Sequence, residues 1–154
     1  IKFILDGGRC KIGLESTIID LTTKPTILRP GCITVKKIQK ILKKKIKIKI
    51  KINPKKIKVP GQLKLHYSPG IPVLINKNYP KKNGAFITFG KKFKSSKNHF
   101  NLSKKNNLRE AANNLYKTMR KIRKKNYKSI SICKIPNFGI GRAINDRIKK
   151  ASYK

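Results

Sequence analysis

The sequence predicts an α/β protein built as two unequal units joined by a proline- and glycine-rich segment, and three observations carry that prediction. From Val73 onward, short β-branched and aromatic runs alternate with stretches of helical periodicity, the pattern of a small unit with a largely parallel sheet. Before residue 53, strand-like runs surround a single short amphipathic stretch. Between the two, "NPKKIKVPGQLKLHYSPGIP" carries four prolines and two glycines, which interrupt regular structure repeatedly.

Each element follows from its own residues. The chain enters on "IKFILDGG", a strand-like run ending in a turn, so we expect the N-terminal portion of the protein to precede Ile1. "STIIDL" and "TILR", separated by "TTKP", predict a pair of strands. Thr34 is placed to cap a short helix on which Val35, Ile38, Ile41 and Leu42 share a face. Strict Lys/Ile alternation from Lys45 to Ile52 predicts a half-buried strand with isoleucines in and lysines out. After residue 72 the order is strand, strand, helix, strand, helix. "PVLI" and "GAFITFG" are the first two strands. Asn107 with Glu110 three residues later resembles a capping box. It opens a helix along which Leu108, Ala111, Ala112, Leu115, Met119 and Ile122 recur at helical spacing. "SISICKI" is the next strand, and "GIGRAINDRIKKAS" is a glycine turn opening into a terminal helix.

Composition narrows the functional classes. Forty-one Lys and Arg residues stand against five acids, a formal charge of +36. Two origins fit it: an anionic partner such as nucleic acid, or the Lys-, Ile- and Asn-rich coding of an AT-rich genome. Either way the molecule attracts polyanions at low salt. Cys10, Cys32 and Cys133 are odd in number, far apart and without a Cys-x-x-Cys, which argues against a disulfide framework or a zinc ribbon. His66 and His99 are too isolated for a metal cluster. No apolar run reaches membrane-spanning length and no signal peptide is visible, so a reduced, cytoplasmic setting with no membrane partner is expected.

The stretch "GLESTIIDLTTKPTILRPG", Gly13 to Gly31, holds two of the five acids and the densest set of candidate ligand groups. Ser16 and Thr17 are adjacent, so on a strand their side chains point to opposite faces. Arg29, just before Pro30-Gly31, sits where a guanidinium could grip a phosphate or carboxylate with two prongs. Two readings stand on these residues. The segment either receives an anionic small molecule, or Ser16 and Thr17 satisfy local backbone while Arg29 pairs with Asp20 or Glu15. Ser16 has no Asp-His set at a recognisable spacing, which makes a hydrolase triad a poor fit. "GIGRA" lacks the third glycine and the downstream acid of a dinucleotide loop, and reads as a tight turn into a helix.

The order of the motifs is more specific than any one of them. Asp6-Gly7-Gly8, Glu15-Ser16-Thr17, Leu28 to Gly31, Pro60-Gly61, His66-Tyr67 with Pro69, Ala111-Ala112 with Leu115, and Gly139 to Arg147 run in the order found in one family. The chain resembles the C-terminal portion of the two-domain threonylcarbamoyl-AMP synthases of the YrdC superfamily. The resemblance implies the end of a YrdC-like α/β twisted-sheet catalytic domain at 1–53, an interdomain linker at 54–72, and a small Rossmann-like α/β domain at 73–154. It implies an enzyme that converts L-threonine, bicarbonate and ATP, with magnesium entering through ATP, to threonylcarbamoyl-AMP and pyrophosphate. Partner proteins would then pass the threonylcarbamoyl group to tRNA. Residue by residue, Ser16 would contact L-threonine, Arg29 the nucleotide phosphate, and Tyr67 would fold over the nucleotide. Thr17 and His66 would be supporting residues. The family's Lys-x-Arg and Ser-x-Asn nucleotide motifs belong upstream of Asp6, so this portion alone is expected to be inactive. The alternatives are a stand-alone basic RNA-binding module or an inactive relic of a split gene.

Overall fold

A computed structural model describes residues 1–8, 10–48, 57, 59–61, 63 and 66–152. Two sheets organise the described residues, three-stranded and four-stranded. In the first, β1 (Ile18–Asp20) and β2 (Thr26–Arg29) pair antiparallel, and β3 (Lys47–Ile48) joins β2 in parallel. The connecting turn is closed by Asp20, whose Oδ1 accepts from the Thr22 amide at 3.0 Å and the Thr22 hydroxyl at 2.6 Å. The β1–β2 register slips between Ile18 and Ile19, so Leu28 is an extra residue on β2. Such a bulge breaks the alternation of faces, and Ile27, Leu28 and Arg29 are all buried in succession.

The predicted Lys45–Ile52 strand is present where it is described: Ile46 is buried and Lys47 exposed, while residues 49–56 lie outside the described set. Helix α1 (Val35–Leu42) begins at Thr34, whose hydroxyl accepts from the Lys37 amide, as its cap position predicts. Its apolar face is only partly covered, and Ile41 is 77% exposed. The strand expected at the start of the chain is not there. Residues 1–8 make no strand pairing among the described residues, and Ile1, Phe3, Ile4 and Leu5 are all exposed. A β-propensity run needs a neighbouring strand to satisfy its backbone, and none of the described strands pairs with this one.

The second sheet has the order β4-β7-β5-β6, entirely parallel. Its strands are β4 (Val73–Leu74), β5 (Ala85–Thr88), β6 (His99–Asn101) and β7 (Ile130–Ile132). The strand β6 has no counterpart in the sequence reading. It is three residues long, sits at the sheet edge, and lies in a Lys/Asn/Ser-rich stretch without alternation. Helix α2 (Leu108–Lys124) buries Ala111, Ala112, Leu115, Met119 and Ile122, the stripe its spacing predicts. Its N-terminus differs from a simple capping box. Asn107 Oδ1 accepts from the Arg109 and Glu110 amides, but Glu110 does not reach back to Asn107. Ser103 stands between them, donating its hydroxyl to Glu110 at 2.6 Å and accepting from the Asn107 amide at 3.0 Å.

Helix α3 (Gly141–Ala151) closes the unit. The "GIGRA" segment is a tight turn, as expected. Gly139 has φ +53°, and a side chain at Gly141 would collide with the Pro136 carbonyl. Asn145 ties the turn to the helix by donating to the Ile135 carbonyl at 3.1 Å.

Candidate functional site

Ser16 and Thr17 lie just ahead of β1, and their side chains take different partners. The Thr17 hydroxyl donates to the Ile33 carbonyl at 2.8 Å, fixing the entrance of β1 to the start of α1. Ser16 faces Arg29. The Arg29 Nε donates to the Ser16 carbonyl at 3.1 Å and its Nη2 to the Ser16 hydroxyl at 3.1 Å. From the other side, Nη1 donates to the Pro60 carbonyl at 3.3 Å. Gly31 makes this approach possible, because any side chain there would strike the backbone of Glu15 to Thr17. Arg29 therefore pairs with neither Asp20 nor Glu15 through its hydrogen bonds; it holds Ser16 and the connecting segment. A guanidinium has five N–H donors, and three of them are engaged among the described residues.

Tyr67 reaches the same place from the connecting segment. Its backbone has φ +64°, an uncommon state for a bulky side chain that costs on the order of 1–3 kcal/mol. Its hydroxyl lies against Gly61, where an added methyl would overlap the phenol oxygen and come within 3.5 Å of Arg29 Cδ. His66 packs edge-on against the Tyr67 ring at 4.0 Å, and its amide donates to the Lys150 carbonyl of α3 at 3.4 Å. The structure thus brings Ser16, Arg29, Tyr67 and His66 into one cluster, with Thr17 bracing its edge.

Three further residues belong to this cluster. Glu15 accepts from Arg147 Nε at 2.9 Å and from the Tyr116 hydroxyl at 3.5 Å. Tyr116 on α2 stacks on Tyr67 with ring centres 5.7 Å apart, and the Arg147 guanidinium lies 5.2 Å from the centre of the Tyr67 ring. Arg147 is 0% exposed, and its second charge contact is with Asp146, which Lys150 also meets at 2.8 Å. Burial by itself would raise the Glu15 pKa, but the Arg147 hydrogen bond and the two nearby guanidiniums outweigh it and hold the carboxyl below its ordinary range. Burial pushes the Tyr67 phenol up, with Arg147 pulling it down and Glu15 adding to the rise. Both tyrosines are neutral donors at ordinary pH, since burial raises Tyr116 further still.

The sequence signal for Arg147 was available. Ala143, Ile144, Ile148 and Ala151 form the apolar stripe of α3, and Arg147 sits within it. A charge on an apolar stripe needs a buried partner. Tyr116 carried no comparable signal, being one more large residue on an amphipathic helix. Beside the cluster, a pocket of ≈ 300 Å³ is lined by Glu15, Tyr67, Pro69, Tyr116, Arg120 and Arg123, among others. No group of three or more His, Cys, Asp or Glu side chains capable of holding a metal occurs among the described residues. No helix of the described residues is long and apolar enough to cross a membrane.

Comparison with known proteins places this geometry in a family. Residues 33–152 match the family model described as threonylcarbamoyl-AMP synthase, C-terminal domain. The chain is 30% identical over 171 residues to a threonylcarbamoyl-AMP synthase of Pyrococcus abyssi, covering 99% of this chain and 49% of that protein. It is 38% identical over 90 residues to the Schizosaccharomyces pombe threonylcarbamoyl-AMP synthase, covering 51% of this chain and 21% of that one. Among solved structures, P. abyssi Sua5 complexed with L-threonine superposes with a TM-score of 0.80 at 28% identity, over 96% of this chain and 48% of that one. A P. abyssi Sua5 variant with an adjacent histidine and tyrosine replaced by alanine gives a TM-score of 0.73 at 25% identity, over 96% and 47%. The chain therefore spans about half the length of the archaeal relative, and it belongs to the threonylcarbamoyl-AMP synthase C-terminal domain family.

Proposed function

We propose that this chain is the C-terminal part of an enzyme that makes threonylcarbamoyl-AMP from L-threonine, bicarbonate and ATP, for threonylcarbamoyladenosine modification of tRNA in the cytoplasm. In this reading, residues 1–53 complete the catalytic domain, 54–72 link it to the second unit, and 73–154 form a Rossmann-like domain. The observation that carries the reading is the Arg29 guanidinium gripping both the hydroxyl and the carbonyl of Ser16 beneath the connecting segment. It places a fixed positive charge next to a hydroxyl in a covered site, which suits a nucleotide phosphate beside an amino acid.

The chemistry has two steps. The threonine amine and bicarbonate condense to a carbamate with loss of water. A carbamate oxygen then attacks the α-phosphorus of ATP, the bond from that phosphorus to the α,β-bridging oxygen breaks, pyrophosphate leaves carrying that oxygen, and the mixed anhydride remains. Ser16 would orient the threonine, and Arg29 would offset the charge that builds on the α-phosphate. Tyr67, seated over Gly61 and Arg29, would cover the nucleotide and keep water from the labile carbamate. Magnesium would arrive with ATP, held by its phosphates.

The test is made on the full-length protein. Threonine-dependent pyrophosphate release, with threonylcarbamoyl-AMP detected by mass spectrometry, is the expected result, and residues 1–154 alone should give none. Arg29→Ala should lower turnover by about 10²–10³-fold, the scale for loss of a charge-stabilising donor. Full-length protein that releases no pyrophosphate would overturn the reading; unchanged Arg29→Ala kinetics would remove Arg29 from it.

A further inference from the structure

The chain carries 34 lysines and only seven arginines, so a bare need for positive charge is met by lysine. Arginine differs chemically, because its planar fork can grip an oxyanion with two parallel bonds. Of the six described arginines, Arg29 and Arg147 are buried in the cluster. Two of the other four, Arg120 and Arg123, line the same pocket of ≈ 300 Å³ beside it. Both are exposed, and neither pairs with a carboxylate among the described residues.

The charges of this pocket are separated along α2. Glu15 meets the Tyr116 hydroxyl at 3.5 Å and is already neutralised by Arg147 at 2.9 Å. Arg120 and Arg123 follow Tyr116 by four and seven residues, about 6 and 10 Å further along the helix. Three residues apart, they are neighbours on its surface. They are the unbalanced charge of the pocket, and Met119 and Pro69 add apolar wall. The fork of Arg123 is also placed. A side chain at Gly70 would lie 3.3 Å from its Cζ and 3.5 Å from its Nη2, so the guanidinium rests against that backbone. The Gly70 amide donates to the Ser68 hydroxyl oxygen at 3.2 Å, which leaves the Ser68 proton to be given to a ligand.

Two guanidiniums and a hydroxyl bring many donors to one end of the pocket. A phosphate monoester matches them, with close to two negative charges and three strong acceptor oxygens. A carboxylate, with one charge and two oxygens, would use fewer of them. We propose that this pocket binds a phosphate monoester with a small apolar or planar body, held by Arg120, Arg123 and Ser68. It stands apart from the substrate site read above. Neither Ser16 nor Arg29 lines it, and Tyr67 borders both, with its hydroxyl on the Arg29 side.

The experiment titrates phenyl phosphate and inorganic phosphate into full-length protein at about 0.15 M salt, where diffuse attraction is screened. Phenyl phosphate should bind about tenfold more tightly, because its ring buries apolar area that inorganic phosphate lacks. Its Kd should rise about tenfold in Arg120→Gln and in Arg123→Gln, the scale of a lost hydrogen bond to a charged group. Both side chains are exposed, so neither substitution empties the core. Arg123→Lys should recover only part of the affinity. Lys105→Gln, about 20 Å away before the other end of α2, should leave the Kd unmoved. The same pattern should appear in an Arg29→Ala background, and turnover of threonine and ATP should be unchanged by Arg120→Gln or Arg123→Gln. An end-phosphorylated oligoribonucleotide that displaces phenyl phosphate would identify the end of an RNA as the source of the phosphate; failure to displace it would identify a free small molecule. Equal affinities for the two phosphates, or a Kd that Lys105→Gln moves as much as Arg123→Gln does, would overturn the proposal and leave only the general positive field. Turnover lost in Arg123→Gln with phenyl phosphate affinity intact would also overturn it, and would give the pocket to the reaction instead.

Discussion

Arg29 and Arg147 are both withdrawn from solvent, at 8% and 0% exposure, yet they solve the problem of a buried charge differently. Arg147 is matched by carboxylates, Glu15 and Asp146. The hydrogen bonds of Arg29 among the described residues go to neutral oxygens of Ser16 and Pro60, and Glu15 feels its charge without a hydrogen bond to it. The two sites predict different responses to acid. The Glu15 carboxyl is held below its ordinary range when folded, so its contribution to stability is fully present above the unfolded value, about 4.3. That contribution disappears as pH falls through the lower folded value. Thermal melts of the wild type should therefore weaken below about pH 4 more steeply than those of Glu15→Gln, which has no proton to take up. Parallel pH profiles for the two would show that the Arg147 contact does not depress Glu15.

The elements divide sharply into those that are covered and those that are not. Helix α2 places Leu115 at 0% exposure against the parallel sheet, while α1 leaves Ile41 77% exposed. Both are large aliphatic residues on an amphipathic stripe, so their patterns look alike. Leu115→Ala should cost about 2–5 kcal/mol, the range for a buried leucine whose cavity cannot fully collapse. Ile41→Ala should stay within about 0.5 kcal/mol, as surface changes do. Denaturant unfolding of the two variants measures the contrast directly. Comparable losses would mean that the α1 face is covered in solution. The α2 cap belongs to the same scale. Ser103 links Glu110 to the Asn107 amide, and so joins the loop after β6 to the first turn of the helix.

Across the whole molecule, a charge of +36 produces a positive field independent of any binding site. We expect affinity for RNA that falls steeply and linearly on a log–log plot as salt rises, with no preference among sequences. Filter binding of unrelated RNAs between about 50 and 200 mM salt tests this, the range over which phosphate-driven binding loses most of its strength. A preference that survives at the higher salt would instead mark a true RNA site. The charge also bears on the cluster at the centre. With five acids in 154 residues, three of which are Glu15, Asp20 and Asp146, the two that meet Arg147 are a large share of the negative charge.

The amino-acid pattern by itself determined the α/β class, the α2 stripe and the tight turn before α3. These depend on spacing and on Gly, Pro and Asn positions a few residues apart, and such local chemistry is written in local sequence. Motif order also singled out Ser16, Arg29 and Tyr67, which the structure brings together. The strand β6 escaped because an edge strand of three residues needs only one neighbour and shows no alternation. The strand expected at residues 1–5 failed for the opposite reason, having strand propensity but no partner among the described strands. The pairing of Glu15 with Arg147 was decided only by the tertiary structure. A buried charge announces that it must be neutralised, but its partner stands 132 residues away, and nothing in local spacing selects it.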